Sequence, residues 1–201
     1  MAKFGAIGCV AILILAVIVG LVVAGTYNSL NTLDQAVQAQ WSQVENVYQR
    51  RADLIPNLVE TVKGAANFEK GTYTAVAEAR SRVGQVSAEG LKNVLNDPQA
   101  FERFQQAQAG LSSALSRLMA VAENYPDLKA SANFQNLQTS LESSENRISV
   151  ERKRFNEAAQ AFNTKRNSFP TVLIAGFFSR FGEKPYFKAA EGADKPPQVK
   201  F

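Results

Sequence analysis

The chain has 201 residues, no histidine and one cysteine, with 22 lysines and arginines against 18 aspartates and glutamates. That composition excludes imidazole acid–base chemistry, Ser-His-Asp triads, histidine-ligated metal sites and an internal disulfide framework. The basic excess is small, and its tightest clusters, Arg50-Arg51 and Arg152-Lys153-Arg154, are too short for a nucleic-acid face. They read as solvated helix surfaces, and no nucleic-acid partner is expected.

Residues 4–24 (FGAIGCVAILILAVIVGLVVA) are apolar throughout, and no charge occurs between Lys3 and Asp34. At about 1.5 Å of rise per residue the run covers roughly 30 Å, the hydrocarbon thickness of a bilayer. It lacks the polar face of a helix in a soluble core. A cleaved signal peptide has an apolar region of about 7–15 residues. This run is longer, although Val22-Val23-Ala24 fits a signal-peptidase site. Thr26 stands where a lipoprotein needs its lipidated cysteine, and Cys9 lies inside the apolar run as a small packing residue. Residues 1–26 are therefore expected to form an uncleaved signal anchor, a single transmembrane helix. Gly5, Gly8, Gly20 and Gly25 permit close approach of a second such helix, a weak signal for a homo-oligomer. Lys3 precedes the span and Arg50 is the first basic residue after it. The positive-inside rule then puts the N-terminus in the cytoplasm of a bacterial cell and the main domain in periplasm or extracellular space, anchored in the inner membrane.

Beyond the anchor, apolar residues recur every three or four positions, the spacing of amphipathic helices. A first helix carries Leu30, Leu33, Val37, Trp41, Val44 and Val47 or Tyr48; a second carries Leu54, Leu58, Val62, Val76, Ala79, Val83 and Val86. A third shows Phe101, Phe104, Gln108, Leu111, Leu115, Leu118 and Ala122, and a fourth runs from Phe134 through Leu141, Ile148, Phe155 and Phe162 to Phe169. Asp97-Pro98 reads as an N-cap followed by proline at the first helical position, where no amide hydrogen is needed. Pro126 ends the third helix or opens the fourth, and Pro170 ends the fourth. At Asp53-Leu-Ile-Pro56 either a new helix starts, capped by Asp53, or one long helix kinks; the new helix is the reading adopted. The expected architecture is all-α: the transmembrane helix followed by an antiparallel four-helix bundle over residues 27–170.

Two further features concern sites. Glu145 and Arg152 lie seven apart on the apolar stripe of the fourth helix, too far apart to pair with each other. Arg51 and Asp53 are the candidate partners, in a register-setting ionic network. In the segment 171–188, Ile174, Phe177, Phe178 and Phe181 fall at i, i+3, i+4 and i+7, with Arg180, Lys184 and Lys188 alongside. That is the pattern of a helix lying in a membrane interface and contacting lipid; the alternative is that the phenylalanines cap the bundle or fill a subunit contact. Residues 189–201 read as a disordered tail.

Several segments resemble the LemA family of bacterial membrane-anchored helical proteins, over nearly the whole chain. They include Tyr27-Asn28, Trp41, the run Arg50-Arg51-Ala-Asp53-Leu-Ile-Pro56-Asn57-Leu-Val-Glu60, Ala79-Arg80 and Glu123-Asn-Tyr125-Pro126-Asp127-Leu128-Lys129. Glu145, Ile148, Arg152, Phe155-Asn156, Asn163, Phe169-Pro170 and Tyr186-Phe187 complete the match. Phe68 departs from it, since family members often carry histidine there. The resemblance implies a helical bundle on a membrane anchor and supplies no reaction, cofactor or catalytic residues. The expected function is non-enzymatic: a structural scaffold or interaction module at the membrane, self-assembling or docking a still unknown protein. The alternatives are a sensor or adaptor for a membrane-associated partner, and a hydrolase using a carboxylate pair such as Glu60 and Glu69.

Overall fold

The computed structural model describes residues 2–65, 69–90 and 94–188, with the side chains at 2–10 and 87–90 left aside. Phe68 and the tail 189–201 lie outside the described residues. Among those described, every regular element is helical: α1 (Ala2–Lys63), α2 (Lys70–Gly90), α3 (Pro98–Ala122), α4 (Pro126–Ala130), α5 (Ala132–Asn167) and α6 (Thr171–Phe177). The expected all-α chain with a long apolar N-terminal helix is what is observed.

α1 is a single helix of 62 residues with Pro56 inside it, so the expected new helix at Asp53 does not form. A proline cannot donate to the carbonyl four residues back. For Pro56 that carbonyl belongs to Ala52, and its oxygen accepts from Arg80 Nε of α2 at 3.2 Å instead. Asp53 is exposed and accepts from Gln49 Nε2, one turn back on the same helix. The apolar stripe also keeps its phase across the proline: Ile55, Leu58, Val59 and Val62 are all buried. These residues end α1 instead of beginning a second helix. The helix stops at Lys63, ahead of the poor helix former Gly64.

The remaining helices begin where their capping chemistry lies. Asp97 Oδ1 accepts from the amides of Gln99 and Ala100, with Pro98 in the first turn of α3. Pro126 opens the short α4, and Ser131 then caps α5 through the amide of Phe134. The level at which side chains meet sets the helix directions. Trp41 of α1 lies against Phe155 of α5, and Arg51 meets Glu145, so α1 and α5 run antiparallel. Trp41 also lies against Phe101 and Phe104, while Arg51 reaches Gln108 and Ser112, so α3 runs parallel to α1.

Two core clusters result. The one nearer the apolar N-terminal segment is aromatic, with Trp41, Phe101, Phe104, Phe155, Phe162, Phe181 and Phe187. The farther one is mostly aliphatic, with Val59, Val76, Leu111, Leu115, Leu118 and Leu141 among its members. Arg51 and its partners lie at the level between them.

Residues 171–188 do not form one helix. α6 ends at Phe177, and the chain then returns as an irregular strap along α5. Two asparagines on α5, seven residues and hence two turns apart, hold it. Asn163 Oδ1 accepts from the Lys184 amide at 2.9 Å and its Nδ2 donates to the Lys184 carbonyl at 2.8 Å. Asn156 does the same for Phe187, both at 2.9 Å. These side chains satisfy backbone groups that a helix would have paired internally.

Candidate functional site

The side chain of Arg51 projects from α1 between α3 and α5 and is only 1% exposed, so it is no solvated surface residue. Its Nη1 donates to Ser112 Oγ at 2.8 Å and to Glu145 Oε1 at 2.5 Å; its Nη2 donates to Gln108 Oε1 at 2.5 Å. The Tyr48 ring lies 5.2 Å from the guanidinium carbon. Burial pushes the Tyr48 phenol above its usual range, against the opposing pull of Arg152 and Arg51. Gln108 is the polar interruption of α3's apolar stripe, buried and matched to this arginine.

The expected four-residue network is only partly assembled. Glu145 pairs with Arg51, although its own side chain is 44% exposed. Among the described residues Arg152 meets no acid; it donates to the Lys188 carbonyl at 3.1 Å and lies over the Phe187 ring at 4.6 Å. Asp53 stays on the surface, bound to Gln49. An open cleft of about 550 Å³ lies over this layer, walled by α3, α5 and the strap. Arg51, Glu145, Arg152, Gln105, Gln108 and Lys188 line it. With Glu102 and Gln106 also on its wall, it combines three basic groups with two carboxylates and three amides.

A second polar cluster was not foreseen from sequence. Asp34 of α1 and Lys184 of the strap form an ion pair at 2.8 Å, each side chain 2% exposed. Gln38 donates to the other carboxylate oxygen at 2.8 Å, and Lys184 Nζ also donates to Asn96 at 2.9 Å. Arg180, at 3.6 Å from Asp34, donates to Asn31 at 2.7 Å. The signal was present: Asp34 interrupts the stripe between Leu30 and Val37, both fully buried.

Of the expected membrane-facing residues, Phe181 and Lys184 are buried. Phe181 packs edge-on against Tyr27, with ring centres 5.3 Å apart, and Lys184 is used by Asp34. They close the end of the helical core. Ile174 is half-buried, Phe178 lies 5.2 Å from Tyr27 with 38% of its surface exposed, and Arg180 is exposed. Phe177 is 87% exposed. Phe169, read from the sequence as the end of the fourth helix's apolar stripe, is exposed with it, because α5 stops at Asn167 before the stripe reaches it. Val172 and Leu173, which the sequence pattern had not singled out, are exposed as well.

Glu60 and Glu69 are both exposed; Glu60 pairs with Lys63, and Glu69 accepts from Thr72. They do not make the buried carboxylate pair that acid–base hydrolysis needs. Among the described residues, no group of three or more aspartates, glutamates or cysteines is placed to hold a metal ion.

The apolar length of α1, suited to crossing a membrane, and its continuity with the packed helices define a membrane-associated helical protein. The model of the LemA family matches residues 40–201, and the chain belongs to that family. It is 28% identical over 190 residues to the magnetosome protein MamQ of Magnetospirillum gryphiswaldense, covering 86% of this chain and 70% of that protein. Magnetosome protein MamQ 1 of Paramagnetospirillum magneticum is also 28% identical, over 85% of this chain and 67% of its own length. Protein LemA of Metamycoplasma hominis is 24% identical over 77% of this chain and 65% of that protein.

Proposed function

We propose that this chain is a non-enzymatic, membrane-tethered interaction module that presents the Arg51 cleft to a protein partner at a set height above the bilayer. The observation that supports this most is the unbroken α1, which carries both the apolar segment and Arg51. From Ala24 to Arg51 the helix rises about 40 Å at 1.5 Å per residue. No flexible linker separates tether from cleft, so the height is a property of one helix. A cleft rimmed by side chains of both charges suits a polar segment of another polypeptide better than an apolar ligand.

Self-assembly belongs to the same proposal. A side chain added at Gly20 or Gly25 would meet nothing within 4 Å, which leaves room for a second span at close approach. Lys3 ahead of the span supports an N-terminus in the cytoplasm, with the helical domain on the far side of the inner membrane.

The test is photo-crosslinking in intact cells from a reactive residue at Gln105 on the cleft rim, with Val150, exposed on α5 and not among the cleft residues, as the comparison. The expected result is a discrete adduct from Gln105 and none from Val150. An adduct mass of two copies assigns the cleft to self-assembly; a heavier foreign partner assigns it to docking. Equal, diffuse labelling from both positions would sink the proposal.

A further inference from the structure

Outside the apolar segment of α1, the exposed large apolar residues among those described are Val150, Phe169, Val172, Leu173, Phe177, Phe178 and Tyr186. Five of the seven fall within residues 169–178, so they form one patch instead of a scatter. Leu173 and Phe177 fall at i and i+4 on one face of α6, with exposures of 59 and 87%, and Phe169, in the turn just before the helix, is 82% exposed. The opposite face is anchored by Thr171 and Ala175, both buried. Aromatic side chains held this far out of a folded domain mark a contact surface.

Its place along α1 identifies the occupant. Phe178 packs on Tyr27, and Arg180 donates to Asn31. Tyr27 lies three residues past Ala24, about 4.5 Å along the helix axis. The headgroup zone on each side of a bilayer is about 5–8 Å deep. The patch therefore sits at headgroup depth, off to one side of the helix that crosses the membrane. Lys165, Arg166 and Arg180 flank it, with Glu183 as the nearby acid and held by Asn167. Apolar rings with basic residues around them match the acyl boundary below and the phosphates above.

We infer that Phe169, Leu173 and Phe177 insert into the bilayer surface from which α1 emerges, making a second membrane contact beside the span. A single helix through a bilayer leaves tilt, and rotation about its own axis, free. A second contact displaced from that axis removes both freedoms and holds the Arg51 cleft in one orientation to the membrane. The inference rests on the membrane tether of the proposed function and adds to it.

The full chain is reconstituted into vesicles of acyl-brominated phosphatidylcholine containing anionic phosphatidylglycerol, comparing the parent with Phe177→Trp. Phe177 is mostly exposed, so the substitution leaves the core intact. The native Trp41 is the built-in control: it is buried and lies 17 residues beyond Ala24, about 26 Å along α1. Val150→Trp controls for general adsorption to lipid. The emission added by Phe177→Trp is expected to be blue-shifted and largely quenched by the bromines, while that of the parent and of Val150→Trp is not. Chain that floats with the vesicles and shows unquenched, water-like emission overturns the inference and leaves the tether standing. Chain that does not float with the vesicles rejects the tether itself. Blue-shifted but unquenched emission that grows with the protein-to-lipid ratio assigns the patch to a second copy and also overturns it.

Discussion

Replacing Asp34 by leucine strands Lys184 in the protein interior. Both side chains are 2% exposed, so neither group recovers its hydration when the other is lost. Breaking a buried pair from one side costs about 3–5 kcal/mol. Lys184 keeps its bond to Asn96 and its place over the Phe162 ring, 5.1 Å from the centroid, so the lower end, about 3 kcal/mol, is expected. For a domain of this size that lowers the midpoint of thermal unfolding by about 6–12 °C. Lys184→Met should cost less, because Asp34 keeps Gln38 and has Arg180 at 3.6 Å with a half-exposed side chain free to move closer. The double variant Asp34→Leu/Lys184→Met should recover most of the loss, since an apolar pair of similar volume replaces two desolvated charges. The assay is thermal unfolding of the detergent-solubilised chain followed by Trp41 emission, because Trp41 shares the aromatic cluster with Phe187 of the strap. An Asp34→Leu cost within about 1 kcal/mol of zero, the range of exposed pairs, would refute the reasoning, as would a double variant no better than the worse single.

Arg80→Ala should cost about 0.5–1.5 kcal/mol by unpairing the Ala52 carbonyl, and far less in a Pro56→Ala background, where the restored amide takes that oxygen; equal costs in both backgrounds would contradict the pairing. Glu145→Ala should cost about 3 kcal/mol, the lower end for a pair broken from one side, because it strands the buried Arg51 guanidinium with only Ser112 and Gln108 to accept from it; chemical denaturation checks it, and a cost under about 1 kcal/mol would contradict the burial. Asn163→Leu should free the strap and speed cleavage between residues 178 and 188 in limited proteolysis, with α5 intact. Burial raises the Glu45 carboxyl above its ordinary value, against the lowering effect of its hydrogen bond from Trp41. The folded state then holds that proton more tightly, so ionisation weakens the fold as pH rises from the ordinary carboxylate value through the raised one. Glu45→Gln should accordingly stabilise the chain at neutral pH, an advantage that disappears on acidification below the ordinary carboxylate value.

The start of α3 at Asp97-Pro98, a helix boundary at Pro126 and the end of α5 before Pro170 were legible in the sequence; that Pro126 opens a separate short helix, with α5 capped anew by Ser131, was not. Caps and prolines act within one turn, and the residues that decide them are neighbours in the chain. The all-helical class and the apolar segment were legible for the same reason, since both depend on periodicity along one stretch. Asp53-Leu-Ile-Pro56 was misread because its outcome is not local: the proline stays inside α1, and the carbonyl it leaves unpaired is taken by Arg80, 28 residues away in the chain. Phe181 and Lys184 carry the spacing of an interfacial helix, yet Asn156 and Asn163 draw their segment out into a strap and turn both residues inward. Glu145 was among the candidates to pair with Arg51, but its other partners, Gln108 and Ser112, and the pairing of Asp34 with Lys184 were closed to inspection of the sequence. A polar residue on an apolar stripe, such as Gln108 or Asp34, announces that a partner exists. Which residue fills that role depends on the level at which two helices pass each other, and only the packed tertiary structure sets that level.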